Sequence, residues 1–323
     1  MTIKAVGLLS GGLDSTLAAK VLLDQGIEIY AINFTSPFCT CTPKSAGCAS
    51  VITAIKQLGD IPLKRMFLGE DYFDIIKHPK HGHGKGLNPC IDCRIMKIRK
   101  SVEYMHEIGA KFLFTGEVLG QRPMSQYRRA LEVIDKNSGV PGLILRPLSA
   151  TLLDETIPEK EGWVDRSKLF DITGRSRKTQ ISMAADSGIN DYPCPAGGCL
   201  LTDKLFSEKL KDYLAYTDKP EVKDITLLKV GRHFRQENGD KIIVARNEIE
   251  CNTMEKICSE TDFLLSPTNF PAPTVILQGT DIANATKNLV SFTNNSIPDN
   301  AEIESVFNGV STKYRVKEFI NQD

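Results

Sequence analysis

The chain has 323 residues, 41% hydrophobic and 25% charged, a globular composition with room for two separate cores that excludes a disordered or fibrous protein. Lysine plus arginine equals aspartate plus glutamate at 40 each, so no chain-wide field steers the protein toward nucleic acid. The N-terminal "MTIKAVGLLSGGLDS" has no basic segment followed by a long apolar run, and no later stretch supplies the roughly 20 apolar residues of a membrane span, so the expectation is a cytoplasmic protein without a membrane partner.

In chain order, "IKAVGLL" is a short apolar run closed by "SGG", the pattern of a buried strand feeding a tight turn. A helix follows from about Asp14, with Leu17, Ala18, Val21 and Leu22 at helical spacing and Gly26 where a C-terminal cap belongs. "IEIYAINF" is a second strand, "ASVITAIKQLG" a second helix, "PLKRMFL" a third strand, residues 92–108 a third long helix and "KFLFTG" a fourth strand. This alternation predicts an α/β fold, a doubly wound parallel sheet covered on both faces. From Pro147 to about Asp191 the pattern is polar and helical, clearest in "GRSRKTQISMAADSG". Beyond it "ITLLKVGRHFR" and "KIIVARNEIE" read as strands joined by the turn "ENGD", with "TVILQG" another. A boundary near residue 190 separates a domain of residues 1–190 from a second, smaller α+β domain of residues 191–323.

The neutral average conceals a basic middle. Residues 77–129 hold eleven lysines or arginines against four acidic residues, a local +7, and four of the five histidines. The loop "HPKHGHGKG" within it is too rich in glycine and histidine to pack as core. His78, His81 and His83 could bind metal, but exposure with phosphate contacts from Lys80 and Lys85 suits the composition better, as a mobile lid over the pair Cys90 and Cys93.

"SGGLDS", Ser10 to Ser15, joins the first strand to the first helix. Gly11 and Gly12 let the backbone approach a ligand, and the helix start offers unpaired N–H groups to an anion. Ser10, Ser15 and Thr16 add hydroxyls, and Asp14 can hold the Mg²⁺ that accompanies a nucleotide. An ordinary strand-to-helix turn would also use these residue types. The loop lies, however, where open α/β sheets bind ligands, and it lacks both the Lys-Ser/Thr of a Walker loop and the third glycine of a dinucleotide fingerprint. "SGGLDS" after an N-terminal strand resembles the signature of the PP-loop ATP pyrophosphatases, which split ATP to AMP and pyrophosphate. The resemblance covers roughly the first half of the chain. It implies the adenine nucleotide alpha hydrolase-like fold, ATP and Mg²⁺ as cofactors, and an ATP site at Ser10, Gly11, Gly12, Leu13, Asp14, Ser15, Thr16, Asn33, Gly116 and Gln121.

"FTGEVLGQRPMSQ", residues 114–126, resembles a segment of the tRNA 4-thiouridine synthetases. Its glycines permit close backbone approach, Gln121, Ser125 and Gln126 offer hydrogen bonds, and Arg122, Arg128 and Arg129 offer cations suited to RNA phosphate.

Nine cysteines in a reducing compartment point to metal or redox chemistry before structural disulfides. "NPCIDCR" opens the third long helix, so Cys90 and Cys93 stand at the positive end of its dipole, which favours thiolate. Far away, "DYPCPAGGC" places Cys194 and Cys199 in a tight Pro- and Gly-rich loop. The "NPCIDCR" segment is similar to the cysteine segment of PP-loop tRNA thiolases. That likeness implies Cys90, Cys93 and Cys199 as ligands of a [4Fe-4S] cluster with one iron free of protein, with Cys194 as substitute. Zinc on four thiolates and a metal-free persulfide relay remain open beside it. Cys39, Cys41 and Cys48 match no motif, and Cys251 and Cys258 read as structural.

"LLKVGRHFR" with "KIIVARNEIE" resembles the small RNA-binding R domain of ribosome quality-control proteins. Lys229, Arg232, His233, Arg235 and Arg246 would then contact phosphate, and Phe234 would stack on a base. Residues 200–323 carry fifteen basic and nineteen acidic side chains, so the field there is weak. Together these resemblances imply an ATP-dependent tRNA sulfurtransferase that adenylates a uridine carbonyl and then transfers sulfur from inorganic sulfide or a cysteine desulfurase relay. Asp14, Cys90, Cys93 and Cys199 would carry the chemistry. Two other classes stay open: an ATP pyrophosphatase forming an amide or nitrile on a small molecule, and a noncatalytic RNA-binding protein.

Overall fold

The computed structural model describes residues 2–39, 47–193, 199–293 and 296–320, without the side chains of residues 47–49. It divides into two compact units, Met1–Ser207 and Glu208–Asp323.

The first unit is a five-stranded parallel sheet of order β3-β2-β1-β4-β5. Its elements run β1 (Lys4–Leu8), α1 (Leu13–Leu23), β2 (Glu28–Thr35), α2 (Gly47–Gln57), β3 (Leu63–Phe67), α3 (Asp71–Lys77), α4 (Cys90–Glu107), β4 (Phe112–Thr115), α5 (Arg128–Asn137), β5 (Ile144–Leu145), α6 (Ile157–Lys160) and α7 (Lys178–Asp186). Alternate strand residues feed opposite faces, as the pleat requires. Ala5, Ile29, Ala31, Phe112 and Phe114 pack with Leu17, Ala18 and Leu22 of α1 and Val51 and Ile55 of α2. Val6, Leu8, Ile32 and Leu113 pack with Ile95, Ile98 and Met105 of α4 and Ile134 of α5. Each fully buried Leu, Ile or Phe contributes about 1.5–3 kcal/mol of transfer free energy. The doubly wound sheet is as the sequence predicts.

Strand order reverses between β1 and β4, so the loops that follow those two strands diverge and leave a crevice at their carboxyl ends. "SGGLDS" follows β1 and "GEVLGQ" follows β4. The remainder of the first unit, from β5 to α7, is mostly loop with short 3-10 turns at Ala150–Leu152 and Arg166–Lys168. The sequence reading overstates its helix content.

After α8 (Lys204–Ala215), the second unit runs α9 (Val222–Leu228), β6 (Arg232–Arg235), β7 (Lys241–Val244), α10 (Glu248–Ile257), β8 (Phe263–Pro267), β9 (Val275–Gln278), α11 (Ile282–Ser291), β10 (Glu302–Phe307), β11 (Val310–Arg315) and α12 (Lys317–Ile320). Its antiparallel sheet has the order β11-β10-β8-β9-β7-β6. Ile242, Val244 and Leu277 face Ala285 and Leu289 of α11. Ile243 and Ile276 face Leu227 of α9 and Met254 of α10. Both sequence-read strands here are shorter than expected. "ITLLK" is helical in α9, where Ile225, Leu227 and Leu228 bury one side of a turn. "NEIE" opens α10, because the Asn247 side chain caps it by accepting the Glu250 N–H at 3.0 Å.

Candidate active site

The first glycine turn is built so that no other residue serves at its tip. Gly11 has φ of 76°, and a Cβ there would run into the backbone of Ser50 and Val51 at the start of α2. Asn33 braces the turn from β2, donating its amide to the Leu9 carbonyl at 2.7 Å. Inside the turn the Ser15 hydroxyl donates to the Gly12 carbonyl at 2.9 Å, and Thr16 does so at 3.1 Å. Thr16 and Leu13 are buried, at 1% and 4% exposure. Their side chains therefore serve the fold, Thr16 by bonding the turn from within and Leu13 by packing in the core. Ser10 is exposed, with its hydroxyl 3.2 Å from that of Ser15. From the other side Gly116, just past β4, presses on the Asp14 and Ser15 backbone, where a Cβ would collide. Asn33 and Gly116 thus shape the loop.

Asp14 is the meeting point of three elements. Its Oδ2 accepts from Gln121 Nε2 at 2.6 Å and lies 3.3 Å from Arg177 Nη2. Its Oδ1 is buried and has no hydrogen-bond partner. Gln121 is steadied in turn by Gln180, which is fully buried and donates to Gln121 Oε1 at 3.2 Å. The segment carrying Arg177 is strapped to the loop carrying Gln121 by a parallel bridge between Leu119 and Thr173, with the Gly174 N–H donating to the Leu119 carbonyl at 2.7 Å. Arg177 and Gln180 were not singled out in the sequence. Their only signal is the basic stretch "GRSRKTQ".

A second group lies beside the first. Cys90 and Cys93, on the first turn of α4, are within electrostatic reach of each other and of Cys199. Cys199 forms an isolated antiparallel bridge with Cys39 of the loop after β2, and the Leu200 N–H donates to the Phe38 carbonyl at 2.9 Å. Tyr72, 2% exposed, bonds to Cys93 through its hydroxyl. Phe38 packs edge-on against Tyr72 and Phe73 at 5.8 Å each, walling the thiols with aromatic rings. Burial, with the neighbouring Cys93, pushes the Cys90 thiol up, and burial pushes Cys199 up to about 11. The helix dipole thus loses to desolvation at Cys90, against the thiolate expected from its position. Cys41, Cys194 and the side chain of Cys48 lie outside the described residues. Among the described residues no group of three or more His, Cys, Asp or Glu is placed to hold a metal ion.

Arg122 is within electrostatic reach of Asp14, Cys90, Arg94 and Arg177. Beneath them lies a buried charge network. Glu117, 2% exposed, sits 3.0 Å from Arg94 Nε and 3.1 Å from Arg146 Nε, and Arg146 is gripped by both oxygens of Asp135 at 2.9 and 2.7 Å. Burial alone would raise the Glu117 carboxyl, but the two guanidiniums hold it below the usual carboxylate range.

The histidine loop is pinned at several points. His81 gives its backbone N–H to Asp92 at 2.9 Å and sets its ring 2.8 Å from the same carboxylate, and His83 Nε2 meets the Ile76 carbonyl at 2.8 Å. The Leu87 N–H donates to Leu201 at 2.9 Å. Asp92 at the helix start and the segment after Cys199 thus anchor what reads from composition as a mobile lid. Lys80 and Lys85 are exposed. Arg129 is exposed, while Arg128 donates to the Leu152 carbonyl at 2.6 Å.

In the second unit Arg232 is exposed and lies 4.8 Å from the Phe292 ring. Arg235 is gripped by Asp212 at 2.9 and 2.8 Å and stacks on Tyr216 at 3.8 Å, and Arg246 pairs with Glu250. Two sequence assignments change here. Phe234 is half-buried and stacks on Phe292 at 5.6 Å against the core, so one face of its ring is already covered. His233 bonds the Val230 carbonyl through Nε2 at 2.8 Å, and burial pushes its ring down to about 3, so it is neutral at physiological pH and no phosphate contact.

The profile of the family described as "Thiamine biosynthesis protein (ThiI)" matches residues 2–158, and that of the "NFACT protein RNA binding domain" matches residues 231–322. The tRNA-specific 2-thiouridylase MnmA of Francisella tularensis subsp. tularensis (strain WY96-3418) is 25% identical over 242 residues, covering 71% of this chain and 63% of that protein. The same enzyme from Francisella tularensis subsp. mediasiatica (strain FSC147) is 24% identical over the same shares. The chain thus spans less than two thirds of the length of these relatives. Among solved structures, a 4-thiouridine synthetase in complex with RNA and ATP is similar at a TM-score of 0.41 and 23% identity, over 70% of this chain and 52% of that one. The U34-tRNA thiolase NcsA from Methanococcus maripaludis with its [4Fe-4S] cluster is similar at 0.33 and 17%, over 80% of each. The glycine turn and its crevice thus lie within residues similar to the ThiI family, and most of the second unit within residues similar to the NFACT RNA-binding domain.

Proposed function

We propose that this chain is an ATP-dependent tRNA sulfurtransferase. The observation that carries the reading is the loop after β4, which bonds Asp14 of the glycine turn through Gln121 at 2.6 Å and pairs through Glu117 at 3.0 Å with Arg94, the neighbour of Cys93 near the start of α4. A nucleotide bound at the turn and a sulfur carried by the thiols would meet across it. The relatives at 25% identity are tRNA thiouridylases, and the second unit matches an RNA-binding domain.

The residues suit each step. The N–H groups at the start of α1 and the guanidiniums of Arg94, Arg122 and Arg177 suit the phosphates of ATP. The buried, unpartnered Oδ1 of Asp14 would hold the Mg²⁺ that accompanies the nucleotide, a cation that would offset phosphate charge. A uridine carbonyl oxygen placed in line attacks the α-phosphorus, pyrophosphate leaves, and the ring carbon becomes an adenylated electrophile. A terminal sulfur borne as a persulfide on one of Cys90, Cys93 and Cys199 attacks that carbon and AMP departs with the oxygen. A second of these thiols then attacks the carrier sulfur, breaking the S–S bond to free the thiolated base and leaving a protein disulfide that an external thiol reduces. Lys80, Lys85, Arg129 and Arg232 are exposed and suit RNA phosphates, whereas Arg122 serves the nucleotide and Arg128 and Arg235 are bonded within the fold.

The three thiols fit a [4Fe-4S] cluster in kind, since soft sulfur donors select iron–sulfur sites, and such a cluster would hold the incoming sulfide on its free iron. Their spacing as found does not form a ligand set, so no step here is routed through it. Iron, zinc and acid-labile sulfide counts on anaerobically purified protein discriminate a cluster from a persulfide. The reading itself is tested by AMP formation with and without tRNA. Turnover that requires tRNA supports it, and equal turnover without RNA defeats it in favour of a small-molecule substrate.

A further inference from the structure

We infer that Arg177 is a nucleotide-responsive latch on Asp14: without nucleotide it neutralises the carboxylate, and with nucleotide bound it moves to the polyphosphate and releases Asp14 to a divalent cation. This rests on the nucleotide site proposed above and assigns a device to it.

Five features of the site point this way. Arg177 reaches Asp14 through one nitrogen at 3.3 Å, on the oxygen that Gln121 already holds at 2.6 Å. A guanidinium held by a single long contact is poised to exchange. The other oxygen, Oδ1, is buried without a donor, the state of a carboxylate prepared for a hard cation.

Hydrogen-bond polarity then fixes that orientation. A carboxylate only accepts, so Gln121 must present its NH₂ to Asp14 and its carbonyl to the NH₂ of Gln180. The fully buried Gln180 therefore fixes which end of the Gln121 amide faces Asp14, so that one carboxylate oxygen is held by a donor and the other is left without one. Finally, the Leu119–Thr173 bridge anchors the base of the Arg177 segment while Gly174, at φ of 83°, gives it a bend that only glycine adopts readily. Arg122 stands as a like charge beside Arg177, an arrangement that an anion between them would relieve.

The exchange keeps Asp14 paired with a cation throughout and adds positive charge beside the polyphosphate. Asp14 trades a monovalent guanidinium for a divalent cation, and the polyphosphate gains the guanidinium. Arg177→Gln should therefore have opposite effects on two affinities, which a merely structural residue would not produce. The full-length protein is titrated with Mn²⁺ in the absence of nucleotide, following free Mn²⁺ by electron paramagnetic resonance, and with ATP by calorimetry. R177Q is expected to bind Mn²⁺ on the order of tenfold more tightly and ATP on the order of tenfold more weakly, as removal of one partly buried charge pair predicts. Arg177→Lys, which keeps the charge, should keep Mn²⁺ binding weak, and adding Asp14→Asn to R177Q should abolish the gain.

Unchanged or weaker Mn²⁺ binding by R177Q overturns the latch, as does a gain that survives D14N. Neither titration contains RNA or sulfur, so a protein that shows the opposed shifts yet thiolates nothing would sink the sulfurtransferase reading alone. Wild-type protein that binds no ATP would remove the nucleotide site and the latch with it.

Discussion

Gln121 Nε2 donates to Asp14 Oδ2 at 2.6 Å, which joins the loop after β4 to the first turn of α1. The bond crosses the point where strand order reverses, so it sets the width of the crevice as well as the direction of the carboxylate. Gln121→Leu removes the donor and keeps the volume. Pyrophosphate release should fall by roughly one to two orders of magnitude while stability changes by about 1 kcal/mol. Steady-state pyrophosphate detection alongside urea unfolding checks both halves. Loss of stability in proportion to activity would make Gln121 a structural residue only.

The network beneath the crevice should be worth more to the fold than any group above it. Arg146 is 4% exposed and neutralises both Glu117 and Asp135. Arg146→Ala leaves Glu117 buried with one counterion and should cost about 3–5 kcal/mol. Adding Glu117→Gln should recover part of that loss. Urea midpoints of the two variants measure the difference.

Acid should weaken the second unit through His233. Its folded pKa of about 3 lies below the usual histidine value, so between the two the unfolded chain binds the extra proton. Stability is then complete above about pH 6.5 and declines as pH falls toward 3. Hydrogen exchange of peptides spanning β6 and β7, corrected for intrinsic rates, should show this decline. In His233→Gln the slope should flatten by up to about 1 kcal/mol per pH unit.

The thiol group should resist alkylation. With Cys199 at about 11, iodoacetamide at pH 8 should modify it more than about tenfold slower than a free cysteine, whose pKa is about 8.5. Peptide mass spectrometry of metal-free protein follows the rate, which should climb until pH reaches about 11.

Much of this architecture is legible in the sequence, for reasons that also explain the failures. β1, β2 and β4 are apolar runs bounded by glycine turns, and burial on both faces leaves no alternative reading. "ITLLKV" has the same apolar density but is too short for its period to separate helix from strand, and it folds as α9. β5 has two residues, Ile144 and Leu145, and is held in place by β4 alone. Asp14 is visible because it sits inside a motif. Arg177 is not, because long-range contacts such as the Leu119–Thr173 bridge and the Gln180–Gln121 bond bring it there. His233 is read as a cation because exposure, unlike identity, is a tertiary property.

The central claim is that the glycine turn activates the base and the thiols deliver the sulfur. It is tested most directly by assaying pyrophosphate release and thiolated nucleoside in the same reactions with tRNA, ATP and a sulfide source. Asp14→Asn should lose both products, whereas Cys90→Ser and Cys199→Ser should release pyrophosphate yet form no thiolated nucleoside. Wild-type thiolation by the cysteine variants would contradict the account.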